Sequence, residues 1–223
     1  MRQIVIDTET TGLEPEKGHK IIEIGCVELI DREFTGHNFH VYLNPERRVD
    51  TEALSVHGIT NEFLADKPTF AQIVDDFLNY VKGAELIAHN APFDVGFLDY
   101  EIKALKPKRQ LLSSLVTIFD TLILARKKNP GQRNTLDALC KRYYVDNSKR
   151  DFHGALLDAS LLADVYLLMT GGQTSLFGEV EEQVVVRETR RTAQGRNLRI
   201  VRATPEEEAA HREYMKKLEE GGK

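Results

Sequence analysis

Cysteine is scarce. Cys26 and Cys140 are the two in a chain of 223 residues, too few and too isolated for a disulfide framework or a zinc site, and each stands in an apolar-rich segment that predicts a small core residue. Long apolar runs are absent as well, which excludes a membrane-spanning helix. Met1-Arg2-Gln3 gives way at once to Ile4-Val5-Ile6 and an acid, without the apolar region and small-residue cleavage site of a secretory signal, so a cytoplasmic chain is expected. Basic charge is also short. Lys and Arg number 30 against 35 Asp and Glu, a net charge of -5, and this argues against gripping a polyanion through a broad basic surface. Such a substrate would have to be held locally or delivered. No internal repeat is visible. What is present, 41% hydrophobic and 29% charged residues, fits one globular domain with an appendage.

Residues 3–6, 21–30 and 37–43 read as strands rich in Ile, Val, Phe and Tyr, separated by turns at Gly12, Gly18 and Gly36 and so expected to form an antiparallel meander. Phe70, Ile73, Val74, Phe77, Leu78 and Val81 then fall on one helical stripe, with Thr69 as N-cap and Gly83 as terminator. Glu85 to Ala88 predicts a short strand, and Asn90-Ala91-Pro92 the start of a helix running to about Leu105, because proline is tolerated in a first helical turn. Val116 to Phe119 predicts a further strand, Asn134 caps a helix through Tyr143, and a last helix runs from about Gly154 to Met169. Strands in a hairpin series, then alternating with helices, make the class α/β: a mixed sheet, antiparallel on one side and parallel on the other, flanked by helices. Gly171-Gly172 closes this pattern, and from Gln173 the chain turns polar.

Three acidic groups carry the chemistry. Asp7 and Glu9 stand at the polar end of the first strand, and their one-residue spacing points both to the same face. Like charges so placed repel unless a divalent cation with oxygen ligands sits between them, although acids also mark ordinary strand ends. Asp94, in His89-Asn90-Ala91-Pro92-Phe93-Asp94, lies in a first helical turn, where the dipole alone would favour it. In the third group, Gly154 is expected to free His153 on a mobile loop, while Asp158 falls by helical spacing beside Ala155, Leu161 and Leu162. That is a buried face, where an unpaired carboxylate is expensive and a metal would relieve it.

Together these groups resemble the three exonuclease motifs of the DEDD superfamily on a ribonuclease-H-like fold. The branch is the one with a histidine five residues before the last aspartate. Residues His37 to Leu43, Val56-His57-Gly58-Ile59 and Asn147 to Gly172 are similar to the proofreading members of that family. The resemblance implies a 3′→5′ exodeoxyribonuclease that removes mispaired 3′-terminal nucleotides as 5′-monophosphates. It implies two divalent ions, Mg²⁺ or Mn²⁺, held by Asp7, Glu9, Asp94 and Asp158, with His153 as general base. It also places Glu52 and His57, with Asp7, Glu9 and Asp158, around the terminal nucleotide. An exoribonuclease of the same fold is the alternative, and a non-catalytic scaffold joining clamp to polymerase is a second one that the intact acids oppose.

The tail extends this resemblance. Gln173-Thr174-Ser175-Leu176-Phe177 looks like the short Gln-x-x-Leu-Phe peptide by which bacterial replication proteins dock on the sliding clamp, with Leu176 and Phe177 as apolar anchors and Gln173 at its head. Further on, Thr204-Pro205, Glu206 to Glu208, Lys216-Lys217 and Gly221 have the grammar of a helix. The expected division is an exonuclease domain at 1–172, a flexible linker at 173–197 with the clamp peptide at 173–177, and at 198–223 a segment that binds the polymerase (alpha) subunit. A small accessory subunit is a further partner that some relatives bind. Delivery by clamp and polymerase would meet the shortage of basic charge.

Overall fold

The computed structural model describes residues 1–105, 110–148, 150, 152–171, 211 and 215. Contacts divide the chain into one unit from Met1 to Phe177 and another from Gly178 to Lys223. The expected clamp peptide at 173–177, the expected linker at 173–197 and nearly all of the expected polymerase-binding segment at 198–223 lie outside the described residues.

In chain order the first unit contains β1 (Arg2–Thr10), β2 (Ile21–Ile30), β3 (Glu33–Phe34), β4 (Phe39–Tyr42), α1 (Thr51–His57), α2 (Asn61–Leu64), α3 (Phe70–Val81), β5 (Glu85–Ala88), α4 (Ala91–Leu105), α5 (Leu112–Leu115), β6 (Thr117–Asp120), α6 (Thr121–Lys128), α7 (Leu136–Tyr143) and α8 (Ala155–Thr170). One mixed sheet runs β3-β2-β1-β5-β6, with β4 also paired to β2. β1 is antiparallel to β2 and parallel to β5, which is parallel to β6. The meander and the parallel half expected from the sequence are both present.

Strand alternation decides which helix covers which face. Ile4 and Ile6 join Ile24, Cys26 and Leu86 in a core with Val74, Phe77 and Val81 of α3 and Phe97, Leu98 and Ile102 of α4. Val5, Val27, Leu29 and Ile87 face the other way, against Ala159, Leu162, Ala163 and Tyr166 of α8. Each large side chain fully buried here contributes about 1.5–3 kcal/mol, so β1, covered on both faces, is fixed in the centre of the sheet. Cys26 and Cys140 are free and buried, as their apolar surroundings predict.

Local signals explain most boundaries. Gln72 Oε1 accepts from the Thr69 N–H at 2.7 Å, fixing the start of α3. The expected cap at Asn134 is one residue early: Thr135 caps α7, its hydroxyl accepting from the Ala138 N–H at 3.3 Å. Asn134 instead turns inward, its Nδ2 donating to the Gln132 carbonyl at 3.0 Å and its Oδ1 accepting from Arg142 at 3.1 Å. The side-chain oxygen nearest the free N–H groups of the helix wins the cap.

Candidate active site

The carboxyl ends of β1, β5 and β6 share one edge of the sheet, the place where α/β folds bind ligands. Asp7 and Glu9 come from β1, Asp94 from the first turn of α4 just after β5, and Asp158 from the first turn of α8. Both helices therefore aim their positive ends at the acids. α8 reaches that position because Gly25 lies beneath it: a Cβ there would come within 2.2 Å of the Ala155 backbone carbon.

The structure brings the four acids and the histidine together. Ligand atoms of Glu9, His153 and Asp158 all lie within 4.8 Å of one another. Asp7 and Asp94 stand outside that tight group and act on it electrostatically. Burial, then the charge of Asp94, Glu9 and Asp158, pushes the Asp7 carboxyl well above the usual range, although it keeps some surface open to solvent. Glu9 is pushed up to about 8, mainly by burial and then by Asp158 and Glu23. Asp94 is pushed up to about 7 by burial, against the pull of a hydrogen bond from Thr8 Oγ1 at 2.7 Å. Hard oxygen donors that repel one another and resist ionisation form a set that a divalent cation fits, because it supplies the charge they lack.

Two expectations for the third group need correction. Gly154 has φ -145°, extended backbone that any residue adopts, so glycine is not what frees His153. His153 itself is anchored: its N–H donates to the Val56 carbonyl at 3.2 Å. Asp158 is buried, as its helical spacing predicts, but it is paired. Arg150 Nε and Nη2 donate to its two carboxylate oxygens at 2.5 and 2.6 Å. Sequence reasoning missed Arg150, three residues before His153, and Thr8, which lies between the two acids of β1 and faces the opposite side of the strand.

A cleft of about 670 Å³ adjoins the acids, lined by Glu9, Leu13, Glu52, Val56, His57 and Phe93 among others. Glu52 is exposed on α1. His57 closes the same helix and is buried. Its Nδ1 accepts from the Ile59 N–H at 3.0 Å, and burial lowers its pKa, so the neutral ring carries its proton on Nε2. The Thr10 carbonyl pulls the other way, so the ring is held against the strand that carries Glu9.

A mixed sheet with buried acids at its carboxyl edge, and a carboxylate-bearing helix across its face, defines a hydrolase of the ribonuclease-H-like class. The family model described as Exonuclease matches residues 4–166. The DNA polymerase III subunit epsilon of Escherichia coli K12 is 54% identical, over 99% of this chain and 95% of its own length. That of Haemophilus influenzae is 51% identical, over 97% and 90%. Among solved structures, Exonuclease X in complex with 5′ overhanging duplex DNA aligns with a TM-score of 0.57 and 26% identity over 76% of this chain and 91% of that one. The nuclease domain of 3′hExo, a DEDDh family member bound to rAMP, aligns with a TM-score of 0.60 and 22% identity over 75% and 90%. The chain belongs to the exonuclease family, in its DNA polymerase III epsilon-subunit branch, the proofreading exonucleases of the replicative polymerase. Nucleases of this fold work with divalent metal ions. No helix among the described residues is long and apolar enough to cross a membrane.

Proposed function

We propose that the cleft beside Glu9 receives the 3′-terminal nucleotide of a DNA strand, and that the bond to the preceding nucleotide is hydrolysed at the edge of the sheet to release a deoxynucleoside 5′-monophosphate. The observation that carries this reading is the convergence of Asp7, Glu9, Asp94 and Asp158 beside His153, next to a cleft large enough for a nucleotide. The four acids would hold two divalent ions, Mg²⁺ or Mn²⁺. Such ions supply an activated water and stabilise the leaving 3′ oxygen.

The remaining work belongs to the chain's own side chains. His153 takes the proton of the attacking water, a role suited to an imidazole. Glu52 accepts a hydrogen bond from the terminal 3′-OH, and His57 lines the pocket for the terminal nucleotide. Leu13, 79% exposed at the cleft rim, gives the base an apolar surface. Only an unpaired end reaches this edge, so a frayed, mismatched terminus is preferred.

The partners follow the same reading. Gln173, Leu176 and Phe177 dock on the sliding clamp, and residues 198–223 bind the DNA polymerase III alpha subunit; a small accessory subunit is a partner of some relatives. The domain division is 1–172, 173–197 and 198–223. The location is cytoplasmic, where replication takes place.

The test is a timed digestion of a mismatched primer-template, with matched DNA and RNA oligonucleotides alongside. Degradation in Mg²⁺, abolished by EDTA and reduced ~10² to 10⁴-fold in His153→Ala, is expected. A His153→Ala rate within a few-fold of the parent would end the general-base role, and faster cleavage of RNA than of DNA would overturn the substrate assignment. A 3′-phosphorylated primer cut as fast as a 3′-hydroxyl one would remove the Glu52 contact.

A further inference from the structure

The guanidinium of Arg150 has no part in the chemistry just described, yet it sits in the middle of it. Its side chain is 7% exposed. Nε and Nη2 clasp both oxygens of Asp158, and Nη2 also meets Nδ1 of His153 at 2.8 Å. Nη1 faces the other way and donates to Asp137 Oδ1 at 2.7 Å, on the half-exposed first turn of α7. A guanidinium has donors and no acceptor, so Nδ1 of His153 is the acceptor in this contact.

Asp158 is committed in the same way. The bidentate pair, the strong form of a charged hydrogen bond, occupies both of its oxygens and supplies the positive charge that a divalent ion would supply. The space for an exchange lies alongside. A cavity of about 690 Å³, lined by Arg126, Asn134, Asp137, Arg150 and His153 among others, opens next to the guanidinium. Asp137 already holds its outer edge.

We propose that Arg150 is a positioning residue that latches Asp158, competing with a divalent ion for it, because its guanidinium occupies both carboxylate oxygens. An ion that takes those oxygens displaces the guanidinium from Asp158 and from Nδ1 of His153 together, while Asp137 keeps hold of its outer edge at the cavity wall. The inference rests on the reading of Asp158 as an ion ligand. It adds that ion binding is coupled to the position of the Arg150 guanidinium.

The test uses the full-length chain and the ions alone, without substrate. In EDTA the Arg150 Nε–H proton resonance is expected to be shifted and slow to exchange with solvent. On titration with Mg²⁺ it should move together with the His153 Nδ1 nitrogen resonance, at the midpoint of ion binding. Arg150→Gln should bind Mn²⁺ on the order of tenfold more tightly by calorimetry, within the range of ordinary coupling between sites. Arg150 and His153 resonances that stay put at saturating Mg²⁺, or an Arg150→Gln variant with no gain in affinity, would overturn the latch. Undiminished Mn²⁺ binding by Asp158→Asn would remove the ion assignment itself and the latch with it.

Discussion

Thr8 and Asp94 join the central strand to the helix across it: the Thr8 hydroxyl donates to Asp94 Oδ1 at 2.7 Å, with both residues buried. Asp7 and Glu9 point to the face of α8, and Thr8, between them, points to the face of α4. One strand thus supplies two acids on one side and the support for a third on the other. Thr8→Val removes the donor and keeps the shape, leaving a buried acceptor oxygen without this partner. The expected loss is about 1–3 kcal/mol of stability in urea unfolding, with weaker ion binding, while Thr8→Ser restores both. A Thr8→Val chain as stable as its parent would show the bond to be dispensable.

Gly25 sets how close α8 comes to the sheet. A methyl group there meets the backbone of Ala155 at 2.2 Å, and backbone cannot swing aside as a flexible side chain does. Gly25→Ala should cost about 1–3 kcal/mol, the usual range for overpacking. Because Asp158 lies in the first turn of the same helix, nuclease activity should fall far more than the folded fraction does. Equal losses in the two measurements would mean that α8 does not set the position of its carboxylate.

The elements legible in the sequence are those whose signal is local. The stripe of α3, the apolar runs of β1 and β2, and the glycine turns between strands carry their own periodicity, and the structure reproduces them. α1 and α6, of seven and eight residues, escape notice because neither shows a stripe, whereas the equally short α7 is announced by the polar residues at its start. The acids of the site are legible because each stands at the end of an apolar run, where a carboxylate is unexpected. Arg150 is not: its partners Asp137, His153 and Asp158 lie on α7, on a loop and on α8, and no spacing in one dimension announces a contact that the fold makes in three. Gly154 misleads for a related reason, since a glycine in sequence does not reveal whether its backbone angle needs one.

The tail can be tested apart from the site. Deleting residues 173–177 should weaken binding to a sliding clamp while leaving hydrolysis of free single strands unchanged, because the peptide follows α8 in sequence and every residue of the acid site precedes it. Clamp binding is read by surface plasmon resonance and hydrolysis on a labelled oligonucleotide. Loss of both activities together would show that the segment supports the nuclease fold and is no mere tether.

The acid cluster predicts an inverted response to pH. Glu9 is raised from 4.5 to about 8 and Asp94 from 3.8 to about 7, so the folded, ion-free chain holds protons that the unfolded chain has released. A group raised on folding stabilises fully below its unfolded pKa and loses that contribution as pH rises through its folded one. In EDTA, stability should therefore fall between about pH 5 and pH 8, by up to about 1.4 kcal/mol per pH unit for each such group. Mg²⁺ binds the ionised acids, so the gap between melting temperatures with and without it should widen across the same interval. Glu9→Gln removes one of the raised groups and should flatten the EDTA curve at its upper end. Melting curves at half-unit steps from pH 5.5 to 8.5 would decide it: a melting temperature in EDTA that climbs with pH would mean that the acids are ionised without the ion, and that burial is not what prepares them to take it.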